Sequence, residues 1–223
     1  MIHGFLKACT VSPALRVADC AFNTQQTIAA MQRAAADGVQ LAVFPELGLT
    51  GYTCGDLFFQ QPLQRAAAKG LAAVLEASAD LDLVALVGLP VPVDGKLYNC
   101  AAVVCHGKLL GLVPKTYLPN YGEFYERRQF NPAPAGVRTL HFAGQEVPFG
   151  TQLLFRCAEM PEFCLGVEVC EDLWAPLPPS THHALAGATV IANLSASDET
   201  IGKADYRRAL VSQQSARLLC AYL

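Results

Sequence analysis

The first 80 residues alternate between strand-like and helix-like patterns of apolar positions. Residues 5–11 and 41–44 are short apolar runs with the length of buried strands. Residues 24–36 and 63–77 instead repeat apolar side chains every three or four positions, which predicts two amphipathic helices. Asn23 directly precedes the first helix and is its predicted N-cap. Such alternation of strands and helices is typical of an α/β fold.

The middle of the chain changes from strands to a long polar segment. Residues 84–93, 97–105 and 109–113 are apolar runs joined by short turns that each contain glycine. This spacing predicts an antiparallel meander. Over residues 114–136, prolines, charges and aromatic side chains replace the alternation, which predicts a long structured loop. Loops of this length are more often functional than idle.

The last third returns to short elements. The pattern predicts strands near Leu153 and Phe163, a helix over 180–186, a strand over 189–194, a helix over 203–218 and a strand beginning at 221. Mixed strands with helices between them indicate one layered α/β domain over residues 1–223, with a sheet buried beneath helices. Because the chain ends on an apolar strand, we expect it to be part of a longer polypeptide.

Composition and charge exclude several classes of protein. Hydrophobic residues make up 52% of the chain and charged residues 16%, which favours strands covered on both faces. The net charge is −3 and no basic run occurs, so neither nucleic acid nor an anionic membrane is an expected partner. The longest apolar stretch, 83–93, contains Gly88 and two prolines and falls short of the roughly 18 residues that a membrane helix needs. Without an apolar signal segment, a cytoplasmic protein is expected.

Cysteines and histidines show no metal or disulfide pattern. The nine cysteines include no CxxC pair, which indicates reduced and mostly buried thiols. His182 and His183 are adjacent, so on a helix they point about 100° apart, and no further ligand accompanies them. We therefore expect surface histidines and no metal site.

Three reactive side chains each follow a predicted strand. The runs are Leu41-Ala-Val-Phe-Pro-Glu46, Leu109-Leu-Gly-Leu-Val-Pro-Lys115 and Leu165-Gly-Val-Glu-Val-Cys170. Strand ends are where α/β proteins place their sites. If the three strands lie in one sheet and run the same way, then Glu46, Lys115 and Cys170 meet at one edge. Taken singly, a buried cysteine is usually a packing residue, and a glutamate beside a lysine is usually an ion pair.

Together, the three side chains suit amide hydrolysis. A cysteine with a pKa near 8.5 is only about 3% thiolate at pH 7, so its attack needs a base. Glu46 is the candidate base that takes the proton of Cys170 and returns it to the leaving amine. Lys115, with a backbone N–H after the nucleophile, is placed to stabilise the oxyanion. The pattern therefore predicts a cysteine-dependent amide hydrolase.

Three segments of the chain also carry a family resemblance. They are Phe44-Pro-Glu-Leu-Gly-Leu-Thr-Gly-Tyr52, Pro114-Lys-Thr-Tyr-Leu-Pro-Asn-Tyr-Gly-Glu-Phe-Tyr-Glu126 and Gly166-Val-Glu-Val-Cys-Glu-Asp-Leu-Trp174. These resemble the signature blocks of the nitrilase (carbon-nitrogen hydrolase) superfamily. With Cys54-Gly-Asp-Leu57 and Asn193-Leu-Ser-Ala-Ser197 added, the chain resembles the N-terminal glutaminase domains of bacterial glutamine-dependent NAD⁺ synthetases.

The resemblance implies both a fold and a reaction. The fold is a four-layer αββα sandwich with mixed sheets, here without its final C-terminal strands. The family's Glu-Lys-Cys triad transfers to Glu46, Lys115 and Cys170. The implied reaction converts L-glutamine and water to L-glutamate and ammonia through a thioester on Cys170, and this step needs neither a cofactor nor a metal.

The resemblance also implies residues that contact the substrate. Family glutamine contacts fall on Tyr121, which would line the pocket, and on Ser197 and Lys203, which would hold the α-amino and α-carboxylate ends. Without the family, these three would be a loop aromatic, a turn residue and a solvated charge. Tyr52 and Glu171 are expected to shape the pocket. A further family glutamate corresponds to one of the two glutamates at positions 123 and 126, and the sequence does not choose between Glu123 and Glu126.

Finally, the resemblance implies partners. In the family, ammonia passes through a channel to a synthetase domain of the same polypeptide, which uses ATP and Mg²⁺ to amidate deamido-NAD⁺, and the subunits form homo-oligomers. Two alternatives stay open. One is a stand-alone nitrilase-type ω-amidase or carbamoylase, against which the block at Cys54 argues. The other is a binding or scaffolding module on the same fold, against which the intact triad argues.

Overall fold

The computed structural model describes residues 4–223 and folds them into eleven strands and four α-helices. The strands are β1 (Ala8–Thr10), β2 (Leu41–Val43), β3 (Val84–Val93), β4 (Lys96–Cys105), β5 (Lys108–Pro114), β6 (Arg138–Phe142), β7 (Gln145–Phe149), β8 (Leu154–Cys157), β9 (Met160–Val169), β10 (Val190–Leu194) and β11 (Ala221–Tyr222). The helices are α1 (Cys20–Ala36), α2 (Gln61–Ala77), α3 (Pro179–Leu185) and α4 (Lys203–Leu218). Short 3₁₀ helices lie at Gly55–Phe59, Glu126–Arg128 and Cys170–Leu173.

The strands form two mixed sheets. The larger sheet has seven strands in the order β1-β2-β3-β4-β5-β7-β6, and the smaller has four in the order β11-β10-β9-β8. Strands β3, β4 and β5 pair antiparallel, which confirms the predicted meander. Because β2 is parallel to β3, strands β2 and β5 run in the same direction. Their C-terminal ends therefore lie at the same edge of the larger sheet.

Alternation of side chains along each strand produces four layers. On β2, Leu41 and Val43 point toward the smaller sheet and pack with Leu165 and Val167 of β9. Ala42 points the other way, into a cluster formed with α1 and α2. Burial of each such Leu or Val contributes about 1.5–3 kcal/mol, so the contact between the sheets is a main source of stability. With α3 and α4 packed on the smaller sheet, the predicted αββα sandwich is confirmed.

The first helix begins one turn earlier than the sequence pattern predicts. Its N-cap is Asp19, whose side chain accepts a hydrogen bond from the backbone N–H of Phe22 at 3.0 Å. Asn23, the predicted cap, is buried inside the helix and bonds both the N–H and the C=O of Arg16 at 2.8 Å. The prediction was wrong because Asn23 stabilises the preceding loop through a tertiary contact.

The hairpin of β6 and β7 was not predicted from the sequence. It spans Arg138–Phe142 and Gln145–Phe149 and extends the larger sheet through a parallel contact of β7 with β5.

The prediction that both adjacent histidines lie at the surface was wrong for one of them. His183 is buried, and its Nε2 lies 2.8 Å from the carbonyl oxygen of Thr151. Gly166 leaves the room for this ring, since a Cβ there would lie 2.8 Å from the Cβ of His183. His182 is exposed as expected.

Other features of the described part of the chain concern membranes and thiols. No helix within residues 4–223 is long and apolar enough to cross a membrane. All nine cysteines are free thiols, six of them buried and three half-buried. Over the same residues, no three His, Cys, Asp or Glu side chains converge in a way that could hold a metal ion.

Candidate active site

Glu46 lies on a loop that follows β2 and crosses directly over β3. The crossing point is Gly88, whose carbonyl oxygen accepts a hydrogen bond from the backbone of Leu49 at 3.1 Å. A Cβ at position 88 would lie 2.4 Å from the backbone nitrogen of Leu47 and 2.5 Å from the carbonyl oxygen of Pro45. Only glycine therefore lets the loop lie this close to the sheet.

The carboxylate of Glu46 is buried and held by three donors. The residue is 2% exposed. Its Oε1 accepts hydrogen bonds from Lys115 Nζ and Asn99 Nδ2, both at 2.7 Å. Its Oε2 accepts from the backbone N–H of Ala196 at 3.1 Å. These donors come from the larger sheet and from the loop after β10, so they fix the carboxylate in one orientation.

The ammonium of Lys115 lies between two carboxylates. Its side chain is fully buried, with Nζ 2.7 Å from Glu46 Oε1 and 2.6 Å from Glu126 Oε1. Burial lowers the pKa of Lys115, but the charges of Glu46 and Glu126 outweigh it and hold that pKa above the ordinary value. Lys115 is therefore an ammonium at neutral pH. Two of its three N–H groups are engaged, and the third has no acceptor among residues 4–223.

Glu126 is the second glutamate of the site. It is buried in the loop after β5, whereas Glu123 is exposed. Glu126 Oε1 accepts a hydrogen bond from the hydroxyl of Tyr52 at 2.7 Å, while Oε2 is buried without a protein partner. Burial and the charge of Glu46 raise the pKa of Glu126, and Lys115 lowers it. Of the two glutamates left open by the sequence, Glu126 is the one that reaches the lysine.

Cys170 lies on the facing sheet, at the turn that follows β9. Its φ of 46° is in the left-handed region, which is strained for any residue other than glycine. Its backbone N–H donates to Asn193 Oδ1 at 2.7 Å, which anchors the turn. Burial and the charge of Glu46 raise the pKa of the Cys170 thiol, while Lys115 lowers it. The side chain is therefore a thiol at rest.

The condition that all three strand ends share one sheet is not met. The strands before Glu46 and Lys115 belong to the larger sheet, but the strand before Cys170 belongs to the smaller one. The three side chains meet because the two sheets pack face to face and present their strand ends at the same side.

The predicted substrate residues Tyr121 and Glu171 lie together at the entrance of the site. The hydroxyl of Tyr121 is 3.0 Å from both carboxylate oxygens of Glu171. Burial and this hydrogen bond raise the pKa of Tyr121 to about 12. Burial also raises the pKa of Glu171, although Tyr121 and Lys115 oppose it. Tyr121 is 58% exposed, so this pair faces solvent on one side.

Lys203 reaches the same entrance, whereas Ser197 is turned toward an arginine. Lys203 pairs with Asp198, and its Nζ lies 5.5 Å from the ring centre of Phe124 and 5.4 Å from that of Trp174. Ser197 Oγ accepts a hydrogen bond from Arg207 at 3.3 Å. Tyr52, expected to shape the pocket, donates a hydrogen bond from its hydroxyl to Glu126.

Sequence reasoning missed several residues that organise the site. They are Asn99, which binds Glu46, Asn193, which binds Cys170, and Asp172, which binds three backbone N–H groups. Asn99 and Asn193 could have been noticed as polar residues inside apolar strands, where a buried amide needs partners. Asp172 gave no such signal, because the turn after a strand is an ordinary place for an acidic residue.

Comparison with known proteins gives a consistent result. Residues 8–220 match the carbon-nitrogen hydrolase family. The chain is 45% identical over 221 residues to the glutamine-dependent NAD(+) synthetase of Mycobacterium tuberculosis, covering 99% of this chain and 32% of that protein. It is 36% identical over 194 residues to the protein of the same name from Thermotoga maritima, covering 86% of this chain and 30% of that protein. The chain thus spans 30–32% of the length of these relatives.

Solved structures show the same similarity. A glutamine-dependent NAD(+) synthetase from Cytophaga hutchinsonii has a TM-score of 0.86 at 29% identity, covering 97% of this chain and 35% of that chain. An amidase from Nesterenkonia sp. has a TM-score of 0.73 at 20% identity, covering 97% of this chain and 75% of that chain. The likeness to the amidase is one of fold alone.

Proposed function

The chain belongs to the carbon-nitrogen hydrolase family of enzymes, and we propose that it hydrolyses the side-chain amide of L-glutamine to L-glutamate and ammonia. The observation that carries this proposal is the Lys115 ammonium held between two buried carboxylates, with the buried Cys170 thiol close enough that Glu46 raises its pKa and Lys115 lowers it. The names of the relatives, which are glutamine-dependent NAD(+) synthetases, support glutamine as the substrate.

In the proposed first half-reaction, Glu46 acts as the general base. It takes the proton of Cys170 as Sγ attacks the amide carbon, and the carbonyl oxygen becomes an oxyanion. The free N–H of Lys115 and the backbone N–H of Glu171 are the candidate donors to this oxyanion. Collapse of the intermediate breaks the C–N bond, and Glu46 returns the proton so that ammonia leaves. The product on the enzyme is a thioester of Cys170.

In the second half-reaction, water replaces the thiol as nucleophile. Glu46 takes a proton from the water, which attacks the thioester carbon. The C–S bond then breaks, Glu46 returns the proton to the sulfur, and glutamate leaves. The raised pKa of the Cys170 thiol supports this general-base route over a preformed thiolate. Glu126 acts by keeping Lys115 charged and in place.

We propose that the residues at the entrance bind the amino-acid end of glutamine. Lys203 supplies a cation for the α-carboxylate, and Glu171, adjacent to the nucleophile, supplies an anion for the α-ammonium. Tyr121 orients Glu171 through its hydroxyl. Ser197 is assigned to the same end, with its hydroxyl released from Arg207 when substrate binds.

The proposed fate of the ammonia follows from the length of the relatives. Because the chain spans 32% of the Mycobacterium tuberculosis protein, the remaining part of such a polypeptide is the expected consumer of ammonia. We propose that it is an ATP- and Mg²⁺-dependent synthetase domain that amidates deamido-NAD⁺.

The test is to assay the purified protein for glutamate and ammonia release from L-glutamine, alongside Cys170→Ala and Cys220→Ala. Cys220 is equally buried but lies on the outer face of the smaller sheet, so its replacement controls for loss of any thiol. We expect Cys170→Ala to lose at least about 10³-fold in kcat and Cys220→Ala to retain activity. A diazo-ketone analogue of glutamine should add mass at Cys170 in the wild type.

Two results would contradict the proposal. Retention of full glutaminase activity by Cys170→Ala would refute the nucleophile. Hydrolysis of ω-amides of keto acids or of N-carbamoyl amino acids, with none of glutamine, would instead favour a stand-alone ω-amidase or carbamoylase.

A further inference from the structure

Asp172 is a buried carboxylate that joins the two strand ends of the site. It lies on the 3₁₀ helix Cys170–Leu173 and is 1% exposed. Its Oδ2 accepts a hydrogen bond from the backbone N–H of Val169 at 3.0 Å, which closes the turn around the cysteine. Its Oδ1 accepts from the backbone N–H groups of Thr116 at 3.0 Å and Tyr117 at 2.8 Å.

These contacts span the two sheets. Thr116 and Tyr117 directly follow Lys115, at the end of β5 in the larger sheet, while Val169 is the last residue of β9 in the smaller sheet. One carboxylate therefore connects the strand end that carries the ammonium to the strand end that carries the thiol. Three hydrogen bonds from one side chain to backbone N–H groups hold the strained backbone of Cys170 and the segment after Lys115 in one arrangement.

We propose that Asp172 is a positioning residue that sets the distance between Cys170 Sγ and Lys115 Nζ. It touches neither side chain and acts through the backbone on both sides of the site. The inference rests on the proposed function for its effect on turnover, but its effect on the thiol is independent of the substrate. Burial raises the pKa of Asp172 to about 8, while the N–H groups of Val169 and Tyr117 lower it.

The test variant is Asp172→Asn, which keeps the size of the side chain but has one acceptor oxygen instead of two. If that oxygen stays with Thr116 and Tyr117, the new NH₂ faces the N–H of Val169, and that connection is lost. If the side-chain amide is rotated by 180°, its oxygen accepts from Val169 and the connection to the larger sheet is lost instead. Either way, the two strand ends are no longer fastened together.

We expect kcat for glutamine, divided by the amount of folded protein, to fall at least about 20-fold while KM changes by less than about threefold. Alkylation of Cys170 by iodoacetamide should shift to higher pH, because Lys115 lowers the pKa of this thiol only while it stays close. Ser78→Ala is the stability control. It removes a buried hydroxyl that accepts a hydrogen bond from the N–H of Gly107. Gly107 precedes the opposite end of β5 and is therefore about 26 Å from Lys115 along the strand.

We expect Ser78→Ala to lower the melting temperature and to leave kcat and the alkylation profile unchanged. An Asp172→Asn variant with wild-type kcat per folded molecule and an unchanged alkylation profile would overturn the inference. If the wild type hydrolyses no glutamine but Asp172→Asn still shifts alkylation, the proposed function fails and the positioning role stands.

Hydrogen exchange on the wild type keeps the test decisive if Asp172→Asn does not fold. Thr116 and Tyr117 begin a long loop, so their amides would exchange fast unless a buried acceptor holds them. Protection of both amides at the level of β5 supports the inference. Fast exchange of both amides in a folded protein contradicts it.

Discussion

Replacing Lys115 by methionine tests whether the buried charges form one electrostatic unit. The change leaves Glu46 and Glu126 without their cation, and their side chains are 0% and 5% exposed. Removal of one partner from a buried ion pair costs about 3–5 kcal/mol, because the remaining charge stays buried and uncompensated. We expect Lys115→Met to lose this amount of stability at pH 8 and to lose glutamine hydrolysis, since the proposed oxyanion donor is gone.

The loss of stability should depend on pH in a defined direction. In the variant, burial and the charge of Glu46, no longer opposed by Lys115, raise the folded-state pKa of Glu126 above the unfolded value of about 4.3. The folded state then binds more protons than the unfolded state, so stability is present near pH 5 and is lost as the pH rises toward 8. Urea unfolding followed by circular dichroism at pH 5 and pH 8 measures this difference.

A second substitution should restore part of the stability. In the double variant Lys115→Met with Glu126→Gln, Glu46 is the single buried carboxylate of the group and keeps its donors from Asn99 and Ala196. We expect a recovery of about 2 kcal/mol at pH 8 without recovery of activity. If the double variant is no more stable than Lys115→Met, then Glu126 does not share the charge of the lysine in solution. Lys96→Met, at an exposed lysine, should change stability by less than about 0.5 kcal/mol.

Two further predictions concern packing and ionisation. Gly88→Ala should displace the loop that carries Glu46, because its new Cβ would meet backbone atoms at 2.4–2.5 Å; we expect a stability loss of about 1–3 kcal/mol and a lower kcat, measured by thermal unfolding and the glutamine assay. An unchanged kcat would contradict the close crossing. Burial raises the pKa of the Cys100 thiol above its ordinary value of 9.0, so this thiol loses its proton at lower pH in the unfolded state than in the folded state. The free energy of unfolding therefore falls as the pH rises above 9. Between pH 8 and pH 10, the free energy of unfolding of Cys100→Ala, measured in urea, should fall by about 1.4 kcal/mol less than that of the wild type. An equal fall would show that this thiol ionises in the folded state.

Local patterns in the chain predicted most of the elements that carry the site. The bounds predicted for α4 and β3 coincide with those observed, Lys203–Leu218 and Val84–Val93, because apolar periodicity reports directly which face of an element is buried. The three strand ends at Glu46, Lys115 and Cys170 were visible for the same reason. The hairpin over Arg138–Phe142 and Gln145–Phe149 was missed, because its strands are short and partly exposed and Pro148 interrupts the second one.

The sequence by itself therefore determined which side chains follow strands and which chemistry they suit. Only the tertiary structure decided that Cys170 faces Lys115 from a different sheet, because the partner of a strand depends on residues far away in the chain. The same holds for Glu126, which lies in a loop without periodicity and is distinguished from Glu123 by its burial against Lys115. The contacts of Asp172 could not be predicted from the sequence, since its partners are backbone N–H groups and every residue except proline carries one.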